Sequence, residues 1–182
     1  MIFTETPLNG AFVIDPEPVK DERGMFARTW CRKEFEARGL KATWVQNNLS
    51  VNIQQGTLRG MHYQTAPHEE AKLVQCMKGT IYDVIVDLRP ASSTFCHYFS
   101  VVLSAENRRM LFIPETFAHG FLTLQDYSEV FYHMSEFYVP GSARGFRWDD
   151  SVFNIEWPVP ISAVSEKDMN WPPFGSDRQI LS

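Results

Sequence analysis

A chain of 182 residues, 44% hydrophobic and 21% charged, is long enough to bury about 70% of its unfolded surface without disulfide support. Its net charge of −5 disfavours nucleic acid as the main partner, and its three cysteines (Cys31, Cys76, Cys96) are neither paired in number nor spaced for zinc. The opening MIFTETPLNG lacks the basic start and apolar run of a signal peptide, and no apolar segment approaches the ~20 residues that span a bilayer, so the expectation is one domain over residues 1–182, cytoplasmic, with no membrane partner.

Ala11–Ile14 reads as a short strand ended by Asp15-Pro16, and DERG (21–24) as a turn in which Gly24 can take a positive φ. Arg32–Arg38 predicts the one helix of any length, closed by Gly39. Trp44–Ile53 alternates, with Gln46, Asn48 and Ser50 on one face, where they meet solvent or line a wet cavity. Gln54-Gln55-Gly56 predicts a hairpin turn into the next strand, where alternation sets His62 and Gln64 on one face and Arg59 on the other. If Arg59 is to share a pocket with His62, Gly60 must mark a bulge that resets the phase.

After the loop TAPHEE (65–70), Lys72, Val74 and Cys76 alternate against Leu73, Gln75 and Met77, and Lys78-Gly79 turns the chain into Ile81–Leu88, where Asp83 and Asp87 share a face. His97–Leu103, Arg109–Ile113 and Ser128–Met134 predict further strands. Trp148-Asp149-Asp150 leads into a Pro-rich tail without regular structure, in which Ser165 can cap a single helical turn before Asp168. Many short strands, frequent turns and almost no helix predict a β-sandwich or barrel.

Histidine titrates near neutral pH and can serve as base and acid in one cycle, so His62, between Arg59 and Lys72, is a candidate to move a proton beside an anionic substrate. The plainer reading makes His62 a core histidine bonded to a carbonyl, Lys72 a solvated strand end, Tyr132 a packed ring and Asp168 a surface carboxylate. Residues alone leave both open.

The motifs LRGMHYQ (58–64), EAKLV (70–74), Gly79 and YDVIVDLR (82–89) resemble the dTDP-4-dehydrorhamnose 3,5-epimerase family of nucleotide-sugar enzymes. The likeness extends through DERGMF (21–26), QNNLS (46–50), IPETFAHGF (113–121), SEVFYHMSEFYVP (128–140), GFRWDD (145–150) and SEKDMNWP (165–172). The resemblance implies an all-β cupin jelly roll with one short helix and an irregular C-terminal tail, a homodimer, no cofactor and no metal. It implies an epimerase inverting C3, C5 or both in a nucleotide-linked 4-keto-6-deoxy hexose through an enolate. His62 is then the base, Asp168 the carboxylate on its far nitrogen, Lys72 the partner of the oxyanion and Tyr132 the acid on the opposite ring face. Substrate-binding positions are Arg23 at the diphosphate, Phe26 in the sugar pocket, Gln46, Asn48, Arg59, His119 and Tyr138, with Asp83 as a partner for His119.

Two rival classes remain at this point. A metal-dependent cupin isomerase or dioxygenase would use His62, His119 and Glu69 or Glu70, but the usual His-x-His pair reads His62-Tyr63-Gln64. A non-catalytic sugar-binding cupin would have no use for an acid–base pair. Three positions depart from the family pattern: Arg28 where a carboxylate is common, Ala143 where a glutamate is common, and Thr116 in place of the glycine of Pro-Glu-Gly. Arg28 and Ala143 lead to the expectation of a nucleotide-base specificity broader than, or different from, thymidine.

Overall fold

The computed structural model describes residues 1–175. In chain order the elements are β1 (Ile2–Glu5), β2 (Phe12–Asp15), β3 (Val19–Asp21), β4 (Gly24–Phe26), α1 (Arg32–Glu36), β5 (Gln46–Asn52), β6 (Thr57–Gln64) and β7 (Lys72–Lys78). They continue with β8 (Thr80–Asp87), β9 (Tyr98–Ser104), β10 (Met110–Ile113), β11 (Phe117–Thr123), β12 (Ser128–Met134), β13 (Ala143–Gly145), β14 (Ala163–Val164) and α2 (Glu166–Met169). One sheet has the order β1-β2-β10-β7-β12-β5, and the other β13-β6-β11-β8-β9 with β14 parallel to β6. Successive strands β5 and β6, and again β7 and β8, lie in different sheets, so the chain winds between two antiparallel layers as a double-stranded β-helix, the cupin-type jelly roll.

This winding corrects one expectation: Gln54–Gly56 is not a hairpin turn but a corner that carries the chain from one sheet to the other. Gly56 has φ +78, and a Cβ there would lie 2.7 Å from the Pro160 carbonyl, so only glycine fits the corner. The helix ends at Glu36, two residues short of the predicted end, with Gly39 at φ +68 beyond it. The turn at 21–24 is the tip of a small hairpin, β3 pairing β4, and β1, β13 and β14 are strands without a pattern strong enough to announce them.

The core between the sheets is built from inward residues of both, including Val13, Val74, Leu111 and Val130 from the first and Ile81, Ile85, Leu103 and Phe121 from the second. Alternation along each strand supplies this layer. Each outer face is covered by segments that lie outside the two sheets. Phe35 of α1 packs with Trp30, Trp44 and Phe112 behind the first sheet. The Pro-rich tail covers the second sheet, where Phe146 and Phe153 stack at 4.2 Å and Phe174 meets both edge-on. That cover carries the tail back to β6, where Ser165 accepts from the Asp168 backbone N–H at 3.1 Å and caps α2 as expected.

Candidate active site

The cleft opens between the sheets, and β6 determines what faces it. His62 pairs with His119 across β6 and β11, but the next register pair is Arg59 with Phe121: between the pairs, two residues on β6 oppose one on β11. The extra residue is a bulge at Gly60, which has φ +121 and sits so close to β11 that a Cβ would lie 2.5 Å from the Gly120 Cα. Arg59 and His62 consequently line the same cavity, of about 390 Å³, with Ser50, Lys72, His119, Tyr132, Lys167 and Asp168. A second lobe of about 300 Å³ continues from it, sharing His62, Lys72, Tyr132 and Lys167 and adding Gln46, Asn48, Tyr138 and Arg144. The polar face of β5 therefore looks into a cavity rather than out to solvent.

Asp168, 3% exposed, accepts from His62 Nε2 at 2.5 Å. Burial pushes its carboxyl up, but the His62 hydrogen bond and charge, with the Gly60 and Ser165 bonds, hold it below the ordinary aspartate value. An ionised carboxylate on Nε2 fixes the proton there and leaves Nδ1 as the nitrogen that can take a proton. Trp171 completes the support: its indole N–H donates to Asp168 Oδ1 at 3.3 Å and its ring meets His62 edge-on at 6.3 Å.

His119 repeats this arrangement deeper in the cleft, with Nε2 2.8 Å from the fully buried Asp83. Lys72 is buried and forms an ion pair with Glu70 at 3.0 Å. Burial raises the Tyr132 phenol above its usual value, and the nearby positive charge of Arg59 works against that rise. The phenol is therefore protonated at neutral pH and has a cation nearby to stabilise the phenolate once the proton leaves. Arg59, Lys72 and Lys167 in the first lobe, and Arg144 in the second, make the cleft locally basic on a chain of net charge −5.

The structure thus brings together His62, Asp168, Lys72, Tyr132, Arg59, His119, Gln46, Asn48 and Tyr138, with Asp83 bonded to His119. It does not bring Arg23 or Phe26 to this cleft. Arg23 pairs with Asp21 at the tip of the β3–β4 hairpin, and Phe26 is 77% exposed beside Arg28, Glu17 and Glu34. Arg28 is held by Glu34 at 3.1 Å, away from the cleft of its own chain, whereas Ala143 lines the second lobe. The expectation drawn from Arg28 therefore has no footing within one chain.

Sequence reasoning offered Glu70 only as a metal ligand, and passed over Lys167, Trp171 and Asn52. The first three lie within three residues of Lys72 or Asp168, a spacing that marks them for attention once those two are chosen. Asn52 had no such marker. The residues do not fit the metal of other cupins. Gln64, at the second ligand position, spends its amide on the backbone of His68, Phe137 and Val139. Among the described residues no cluster of three or more His, Cys, Asp or Glu could hold an ion.

A jelly roll whose cleft sets a carboxylate-backed imidazole and a phenol around a buried ammonium carries the groups of a cupin-type protein equipped for proton transfer. The model of the dTDP-4-dehydrorhamnose 3,5-epimerase family matches residues 5–176. The chain is 45% identical over 175 residues to the dTDP-4-dehydrorhamnose 3,5-epimerase of Shigella flexneri, covering 96% of this chain and 95% of that one. It superposes on the epimerase of the same description from Elizabethkingia anophelis with a TM-score of 0.93 at 40% identity, covering 96% of each chain. On the dTDP-6-deoxy-D-glucose-3,5-epimerase of Legionella pneumophila, in complex with dTDP-4-keto-L-rhamnose, the TM-score is 0.92 at 34% identity, covering 98% of this chain and 96% of that one. The chain belongs to the dTDP-4-dehydrorhamnose 3,5-epimerase family and is a sugar-nucleotide epimerase.

Proposed function

We propose that this protein converts dTDP-4-dehydro-6-deoxyglucose to dTDP-4-dehydrorhamnose by inverting carbons that flank the 4-keto group. The observation that carries the reading is the placing of the His62–Asp168 pair, Lys72 and Tyr132 around one cavity. Protons on C3 and C5 are acidified by the neighbouring carbonyl. His62 Nδ1 takes one, the electron pair moves to the C4 oxygen, and the Lys72 ammonium stabilises that oxyanion. Tyr132 delivers a proton to the opposite face, and the resulting phenolate is stabilised by Arg59. His119 and Asp83 hold the sugar, and Gln46, Asn48 and Tyr138 line the second lobe for the nucleotide part.

The reading extends to a single catalytic domain, cytoplasmic, acting as a homodimer. What supports the dimer is apolar surface left open on one chain: Phe26 and Val19 on the β3–β4 hairpin, Leu49 and Val51 along β5, which is a sheet edge, and Ile53 just beyond it. In such a dimer Arg23 and Phe26 reach substrate only by entering the partner's cleft. Among the described residues no helix is long and apolar enough to cross a membrane.

The test is a panel of dTDP-, UDP- and GDP-linked 4-keto-6-deoxyglucose incubated with the protein and followed by proton NMR, with light scattering on the same sample. The reading expects fastest conversion of the dTDP sugar, inversion at C3 and C5, and a particle of two chains. Absence of conversion of all three sugars would refute it.

A further inference from the structure

Asn52 ends β5 at 2% exposure, and none of the proton transfers uses it. Its Oδ1 accepts from Arg59 Nε at 2.7 Å, while its Nδ2 donates to the Ser128 carbonyl at 3.1 Å, so both ends of the amide are engaged and its orientation is fixed. A guanidinium is a rigid plane of five donors, and bonding Nε fixes where the two terminal nitrogens point. Arg59 comes from the bulge in the second sheet, whereas Asn52 comes from the first. In the first sheet β5 pairs β12, with Asn52 opposite Ser128 and Asn48 opposite Tyr132. Through Asn52 the first sheet thus holds a cation of the second in the lobe that contains Tyr132.

We propose that Asn52 is a positioning residue that acts through Arg59 on Tyr132, keeping the guanidinium where it makes the phenol a better proton donor, and so sets the ratio of inversion to simple proton exchange. The proposal rests on the reading of Tyr132 as the opposite-face acid. Tyr132 shares its lobe with Arg59, Lys72, Lys167, His62, His119 and Asp168. Of these, Arg59 is the cation whose charge opposes the effect of burial on the phenol. Without the Asn52 bond the long Arg59 side chain is free to turn toward solvent or a substrate phosphate. Tyr132 then becomes a weaker acid and delivers its proton more slowly. His62 and Asp168 are untouched, so removal of the substrate proton continues and the enolate is reprotonated on its original face. A merely structural Asn52, closing the end of β5 against Ser128, would lower stability and leave the ratio alone.

The test uses the full chain carrying Asn52→Ala, with Asn52→Leu, which keeps the branched skeleton of the side chain, as the second variant should the smaller residue impair folding. Tyrosine labelled with ¹³C at Cζ reports ionisation by NMR in the free protein, the Tyr132 resonance being the one missing from Tyr132→Phe. In D₂O with dTDP-4-dehydro-6-deoxyglucose, inverted product and deuterium incorporated with retention are counted together. The expected result is a Tyr132 resonance that titrates at higher pH than in the parent, and an inversion-to-exchange ratio reduced about tenfold, part of the ~10²–10⁴-fold that a general acid supplies. A resonance that titrates where the parent's does, or an unchanged ratio, overturns the proposal. If Tyr132→Phe itself epimerises like the parent, the reading of the acid has failed, and the titration still decides whether Asn52 acts on the phenol.

Discussion

Replacing Asp168 with Asn removes one charge while keeping the shape, and the geometry sets how much should be lost. Oδ1 serves two donors, His62 Nε2 at 2.5 Å and the Trp171 indole N–H at 3.3 Å, whereas Oδ2 accepts the longer bond from the Gly60 N–H at 3.4 Å. In the Asp168→Asn variant the new amide therefore keeps its oxygen toward His62 and Trp171 and turns its NH₂ toward Gly60, where the weaker bond is given up. The imidazole retains its tautomer, so the loss is chiefly that of the carboxylate charge opposite the imidazolium that forms on proton transfer. Two unit charges ~4 Å apart attract by ~4 kcal/mol at an effective dielectric of ~20. The His62 side chain is 41% exposed, and solvent screening brings this to ~2 kcal/mol. That corresponds to roughly a 30-fold slower proton removal. The assay is deuterium wash-in at C3 and C5 under single-turnover conditions, which isolates proton removal from product release. A loss under about threefold would show that His62 does not depend on Asp168 for charge. A loss beyond about 10³-fold would show that the tautomer flips and that the orientation argued from Trp171 and Gly60 is wrong.

Lys72→Met should lower kcat by ~10²-fold or more with a smaller effect on KM, because the ammonium matters most when the oxyanion has formed; equal kcat in steady-state assays would remove Lys72 from that role. Asp87 is buried, and although burial pushes its carboxyl up, Arg89, Ser92 and Thr94 bring it down from 3.8 to about 2. A depressed folded-state value gives stability that is complete above pH ~4 and lost as pH falls toward ~2, so Asp87→Asn should cost about 2 kcal/mol at pH 7 in urea unfolding, the difference from the parent shrinking below pH ~4. Thr116 has φ +65, a left-handed conformation that costs an L residue ~1–2 kcal/mol. Glycine adds ~0.4–1 kcal/mol of unfolded-chain entropy that offsets part of this relief, so Thr116→Gly should raise the melting temperature by roughly 2–4 °C, and a lower value would mean that the Thr116 side chain contributes more than its backbone costs.

How far the sequence revealed this molecule depended on whether a signal was local. The strands β7, β8 and β12 announce themselves by runs of apolar and alternating residues, and Gly60 could be named as the necessary bulge because alternation placed Arg59 and His62 on opposite faces. The Gln54–Gly56 turn was located but not its direction, since a hairpin turn and an inter-sheet corner use the same residue types. The pairing of His62 with Asp168, 106 residues apart, has no spacing signature and entered only through family resemblance. Asn52 was legible neither way, because its bond to Arg59 arises where two strands of different sheets meet, seven residues apart along the chain. Arg23 and Phe26 show the reverse case: the motif marks them for the site, yet in one chain they stand on an exposed hairpin.

Epimerisation, as opposed to exchange, requires two groups on opposite faces of the sugar ring, and Tyr132→Phe separates them. The substitution removes one oxygen from a ring that packs against the core and leaves His62, Asp168 and Lys72 in place. The measurement is ¹H NMR of dTDP-4-dehydro-6-deoxyglucose in D₂O, counting deuterium incorporated with retained configuration against inverted product. The account predicts continued incorporation with retention while inversion falls by ~10²-fold or more, the scale of one lost general acid. Inversion at the parent rate, or equal loss of exchange and inversion, would contradict it.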